Sequence, residues 1–154
     1  MENINLELIF QRLKTEDLSL EDRSLRKVAI QAALRAYAPY SHFKVGAAVL
    51  LSDGTVVEGN NQENAAYPSG LCAERVALFA AGASFPERPV QAIALIAVRN
   101  GTVQSALAPC GACRQVMLET EQRYGQPIRI LMCGDETTII AQSVKDLLPL
   151  SFEF

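Results

Sequence analysis

The stretch VQAIALIAV, residues 90 to 98, places the tightest limit on how this chain can fold. It is almost continuously apolar, yet far short of the ~20 residues that a membrane span requires. A strand with one wet face alternates polar and apolar residues, so an unbroken run of this length reads as a strand covered on both faces. Two covering layers are therefore needed, and the rest of the chain supplies them. Ser19 with Asp22 resembles a capping box, and Leu25, Val28, Ala29, Ala32, Ala33 and Ala36 follow at helical spacing, predicting a helix to about Tyr37. VGAAVLLSDGTVVEG (45 to 59) is two apolar strands around an Asp53-Gly54 turn. Helices are predicted from Cys72 and from Cys110, with a buried strand at 128 to 133, a weaker one at 137 to 142 and a short helix at 143 to 148. Ile4, Leu6, Leu8 and Phe10 alternate, predicting a short edge strand within an N-terminal extension of residues 1 to about 18. The order predicts an α/β fold: one domain spanning 1–154, with helices on both faces of a central mixed five-stranded sheet.

Charge narrows the partners. With 14 basic and 17 acidic side chains the net charge is −3, and the basic residues are scattered. Such a surface does not neutralise phosphates, so no nucleic-acid partner is expected. The N-terminus carries an acid where a secretory leader has basic residues, and no run is long enough for a membrane span; a cytoplasmic location and no membrane partner are the expectation. In that compartment four cysteines are better read as ligands, nucleophiles or core filler than as disulfides.

Cys110 and Cys113 form a C-x-x-C pair, which alone fits a redox pair, half of a zinc knuckle or an iron–sulfur fragment. Cys72 alone reads as a small buried hydrophobe. Together the three say more. Each group opens a helix that follows a strand, and one strand lies between them in the sequence. Both helices can then pack on one face of the sheet with their N-termini side by side, where partial positive charge favours thiolates. Three thiolates make a zinc site with one coordination position left over, the mark of catalytic rather than structural zinc. Cys133, at the end of an apolar strand, reads as core, a fourth ligand being the alternative; His42, in a tight loop, is not expected to bind metal. Val76 to Ala81 read as the buried body of the Cys72 helix. Glu74, two residues beyond Cys72, can reach the same cavity without joining the metal and so serve as a proton carrier. Three thiolates outweigh the charge of Zn²⁺, and Arg75 beside them can withdraw the excess.

C-x-E followed by P-C-x-x-C resembles the three-cysteine zinc-deaminase signature. With YSHFKVGAAVL (40 to 50), NNQENAAYPSGLCAER (60 to 75), APCGACRQVMLE (108 to 119) and LLPLSF (147 to 152), the sequence resembles the short-chain cytidine deaminases. The resemblance implies a three-layer α/β/α sandwich and hydrolysis of cytidine and 2′-deoxycytidine to uridine and 2′-deoxyuridine with release of ammonia. It implies one zinc per chain on Cys72, Cys110 and Cys113, with Glu74 as proton shuttle. Asn61 and Glu63 would bind the ribose hydroxyls, Phe43 would lie beside the base, and the backbone around Ala73 would contact its amide edge. Tyr67 and Phe152 would lie near a neighbouring subunit's site in a homotetramer. Gln62 and Ala66 depart from the residues commoner in the family.

Overall fold

A computed structural model of the chain describes residues 1–152. The elements are β1 (Phe10–Lys14), α1 (Leu20–Leu34), β2 (Phe43–Leu51), β3 (Val56–Asn60), α2 (Ala73–Ser84), β4 (Val90–Arg99), β5 (Thr102–Val103), α3 (Gly111–Tyr124), β6 (Arg129–Cys133) and β7 (Thr137–Ala141). The sheet order is β1-β7-β6-β4-β2-β3, with the two-residue β5 paired to β4. β4, the apolar run, is central: it pairs antiparallel with β2 and parallel with β6. The five expected strands are β2, β3, β4, β6 and β7; β1 and β5 bring the sheet to seven among the described residues.

The alternation within these apolar strands sorts them into two cores. Val49, Leu51, Ile93, Leu95, Ile130 and Met132 pack with Ala77, Leu78, Met117 and Leu118 of α2 and α3. Ala48, Leu50, Ala92, Ala94, Ile96, Leu131 and Cys133 pack with Leu25, Ala29 and Ala33 of α1. The three layers are therefore α1, the sheet, and the pair α2 and α3. Two glycines let the helices lie directly on the strands. A Cβ at Gly46 would sit 2.0 Å from the Ala29 carbonyl oxygen, and one at Gly59 would sit 2.7 Å from that of Ala73. The β2–β3 hairpin turns at Asp53-Gly54, where Gly54 has φ +85° and the Asp53 carboxylate accepts from Thr55 N at 3.0 Å.

Five local expectations change. The edge strand is Phe10–Lys14, not residues 4 to 10; Ile4, Leu6 and Leu8 lie outside it and exposed. β7 offers only five residues, paired from Phe10↔Ala141 to Lys14↔Thr137, so the partner strand and not the apolar alternation fixes the register. α1 ends at Leu34, with Arg35 as its C-cap. Residues 143 to 148 hold only a 3₁₀ turn, Val144–Asp146, because the buried Glu121 carboxylate accepts from Val144 N at 2.8 Å and Ser143 Oγ at 3.0 Å and shapes the segment from outside. In α2 the buried stripe is Ala73, Glu74, Ala77, Leu78 and Ala81, while Phe79 is exposed. The N-cap of α1 is half a capping box. Ser19 Oγ accepts from Asp22 N at 3.1 Å, but the buried Asp22 carboxylate turns to Arg129 on β6, at 2.5 and 3.0 Å; a carboxylate removed from water needs such a partner.

Candidate active site

Because α2 and α3 share one face of the sheet, their first turns meet. Cys72 and Cys110 are the N-caps of the two helices, both in extended conformation, and neither thiol caps its own helix. Cys113 lies in the first turn of α3. The Cys72 and Cys110 sulfurs are 3.8 Å apart, those of Cys110 and Cys113 3.3 Å, and all three lie within 4.8 Å of one another. A tetrahedral zinc with Zn–S bonds of about 2.3 Å sets its sulfurs about 3.8 Å apart, so the cluster fits that ion with three protein donors. Cys133 is excluded as a fourth: it faces α1 across the sheet, with its thiol 3.6 Å from the Leu131 carbonyl oxygen. Burial pushes the Cys133 thiol up to about 12.

The thiols differ in charge. Hydrogen bonding from Cys113, aided by Arg75, lowers Cys72 to about 5, while sharing its proton with Cys72 and burial raise Cys113. Arg75 donates from Nη2 to the Cys72 sulfur at 3.8 Å, and its Nε is buried with no hydrogen-bond partner among the described residues. Glu74 is only 4% exposed. Burial raises its carboxyl above the ordinary value, and the Cys72 charge adds to the effect. A carboxyl shifted in this direction can hold and release a proton nearer neutral pH.

From Cys72 and Arg75 a cleft of about 580 Å³ runs to Asn61 and Glu63, walled by Tyr40, Ser41, Tyr67 and Leu71. Asn61 closes the end of β3 onto β2: its Oδ1 accepts from Val45 N at 2.8 Å and its Nδ2 donates to the Phe43 carbonyl at 3.0 Å. Glu63 is held by the loop before β2. Its Oε2 accepts from Tyr40 N at 2.9 Å and Ser41 N at 3.3 Å, and its Oε1 from the Ser41 hydroxyl. These donors, Ser41 foremost, keep the Glu63 carboxyl below its usual range. Phe43 is half-buried at the start of β2, and Ala73 is fully buried at the start of α2; neither lines the cleft, nor does Glu74. Tyr67 lines it and is 83% exposed. Phe152 lies apart from the cleft wall, its carbonyl accepting from Gln115 Nε2 at 3.2 Å. His42 adopts φ +55° and bonds to the Ala38 carbonyl through its backbone N–H, away from the thiols.

Two contributors went unread in the sequence. One is Ser41. The other is Arg114, which donates to the carbonyls of Pro109 at 2.9 Å and Leu147 at 2.7 Å, tying the loop that delivers Cys110 to the C-terminal segment. The serine sits in a stretch that reads as a turn, and an arginine one residue past a ligand is a signal only once its partners are known.

Comparison with known proteins bears on this arrangement. Residues 20–124 match the family model for the cytidine and deoxycytidylate deaminase zinc-binding region. The chain is 51% identical over 100 residues to a cytidine deaminase of Halalkalibacterium halodurans, covering 65% of this chain and 72% of that one. It is 45% identical over 114 residues to a cytidine deaminase of Mycobacterium tuberculosis, covering 72% of this chain and 82% of that one. In structure it resembles a cytidine deaminase from Burkholderia pseudomallei, with a TM-score of 0.69 and 44% identity, covering 84% of this chain and 98% of that one.

Proposed function

The chain belongs to the cytidine and deoxycytidylate deaminase family, and from that membership we propose that it hydrolyses the exocyclic C–N bond of cytidine and 2′-deoxycytidine, giving uridine and 2′-deoxyuridine with ammonia. The observation that carries the reading is the junction in one place of three thiols at metal-binding distance, a buried carboxyl and a cleft of nucleoside size ending in an amide and a carboxylate. Cys72, Cys110 and Cys113 would hold one zinc per chain. Bound there, zinc supplies Lewis acidity, which makes water a nucleophile at neutral pH.

The chain's own residues do the rest. Glu74 takes a proton from the attacking water and gives it to N3 of the cytosine ring as oxygen adds at C4. The same carboxyl then takes the remaining proton from the new C4 hydroxyl and gives it to the departing amine, so that the C4–N bond breaks as the carbonyl forms; one group serves as base and acid in turn, and its burial, which raises its proton affinity, suits it to both. Arg75, donating to the Cys72 sulfur, draws off thiolate charge that would oppose ionisation of the water. Glu63, with three of its acceptor positions taken by the 40–43 loop, accepts from one sugar hydroxyl, and the Asn61 amide N–H not given to Phe43 is available to donate. Phe43 supplies an apolar surface beside the base, and the backbone at Ala73 reads its amide edge. In the cell the reaction would return cytosine nucleosides to the uracil pool in the cytoplasm, a salvage step.

Glu74→Gln tests the assignment. The expected outcome is one zinc per chain by metal analysis and a loss of turnover of about 10²–10⁴-fold, the usual contribution of a positioned acid–base group. Near-normal turnover would overturn the proton role. The reading extends to a homotetramer, supported by exposed apolar groups that include Tyr67, Leu150 and Phe152. The expected native mass is four times the 16.8 kDa chain, and a monomeric mass with full activity would refute it.

A further inference from the structure

The carboxylate at the sugar end of the cleft does not orient itself. The Glu63 backbone N–H donates to the Tyr37 carbonyl at 2.9 Å, which fixes the Cα. The side chain then reaches back to the 40–43 loop, where its two oxygens are treated differently. Oε2 takes two backbone N–H groups, from Tyr40 and Ser41, while the Ser41 hydroxyl is the donor on Oε1. The same hydroxyl accepts from the Phe43 N–H at 3.0 Å. One hydroxyl thus joins the expected sugar-reading carboxylate to the residue that opens β2 and carries the expected base-side aromatic ring. The loop is tightly determined around it: His42 takes a left-handed conformation and closes onto Ala38, and Asn61 clamps the Phe43 carbonyl.

A carboxylate has about four acceptor positions. Three are filled by the loop, so the geometry leaves room for a substrate hydroxyl only along one direction, and that direction is set by whichever donor holds Oε1. We propose that Ser41 is a positioning residue for nucleoside binding, acting through Glu63: its hydroxyl aims the carboxylate at the sugar. This rests on the deaminase reading above. Without the hydroxyl, Oε2 remains pinned by two backbone donors and Oε1 is free to swing about them, so the loss falls on sugar recognition and leaves the thiol cluster and Glu74 untouched.

The test is steady-state kinetics of Ser41→Ala on cytidine and on 2′,3′-dideoxycytidine, which lacks both secondary hydroxyls. The expected result is a KM for cytidine raised roughly three- to tenfold, the scale of one hydrogen bond, with kcat and zinc content kept. The KM for the dideoxy analogue should change less than twofold. Ser41→Thr, which keeps a hydroxyl, should restore most of the cytidine KM; if Ser41→Ala fails to fold, Ser41→Cys, with a weaker donor of similar size, should give an intermediate KM. In a Glu63→Gln background Ser41→Ala should raise KM by clearly less than it does alone, since the larger part of its effect runs through the carboxylate and only its bond to the Phe43 N–H remains to be lost. Equal penalties on both nucleosides, a fall in kcat without a change in KM, or additivity with Glu63→Gln would each overturn the assignment of Ser41 alone. Wild-type protein that turns over neither nucleoside would overturn the deaminase reading and this proposal with it.

Discussion

Glu63 lines the cleft and Glu74 lies buried behind its thiol end, and their surroundings drive them in opposite directions. Burial raises Glu74, whereas three donors on an exposed loop lower Glu63. This divergence suits the proposed roles, in which the raised carboxyl moves protons and the lowered one stays charged and accepts hydrogen bonds. The sign for Glu63 is fixed by linkage. Its folded value lies below the ordinary value of 4.5, so the contribution of its ionised form is present above 4.5 and lost as pH falls through the folded value. The KM for cytidine is therefore expected to stay level, as far as Glu63 is concerned, from about pH 8 to about pH 5. The stability lost in Glu63→Gln should be visible by denaturant titration at neutral pH and vanish in acid below the folded value. A Glu63→Gln deficit that grew on acidification would contradict the sign. At this scale the three thiols and Glu74 were readable in the sequence, because ligand spacing and helix mouths are local signals. Ser41 and Arg114 were not, since their partners lie 22 and 33 positions away.

At the scale of elements, the two close approaches of helix to strand make unlike predictions. A methyl at Gly59 would press on Ala73 and Ala77, in and just behind the turn of α2 that carries Cys72 and Glu74. A methyl at Gly46 would press on Ala29 and Ala33 of α1, on the far side of the sheet. Both Gly59→Ala and Gly46→Ala should destabilise by about 1–3 kcal/mol, the cost of overpacking a tight contact. Only Gly59→Ala should also weaken zinc binding, by about tenfold or more, as expected when the groups that aim metal ligands are displaced. Chelator competition separates the two, and equal zinc affinity in both variants would show that the α2 turn adjusts freely. The helices and the central strands were legible for the reason the glycines are informative: one periodicity serves one face. Where the partner, not the local pattern, decides, the sequence carries no local signal. β1 is set by the five residues of β7, and residues 143 to 148 by the carboxylate of Glu121.

Over the whole molecule, the chain order differs from the order in space. Cys72 is separated from Cys110 by the entire length of β4, which lies in the middle of the sheet between β2 and β6. From this topology Cys72 and the Cys110–Cys113 pair are expected to become neighbours only after the centre of the sheet has closed and both helices have docked against it. A metal ion that needs all three sulfurs acts on the finished protein and has little to hold in a half-built one. Stabilisation of that kind belongs to the native state and is absent from the folding transition state, so it governs how slowly the protein comes apart. Stopped-flow measurements on protein stripped by a chelator should show faster unfolding and an unchanged refolding rate. Slower refolding of the stripped protein would instead mean that the ion is captured early. On this expectation zinc is a latch on the assembled fold, closed last and released first, and the lifetime of the native protein is set by how tightly it is held.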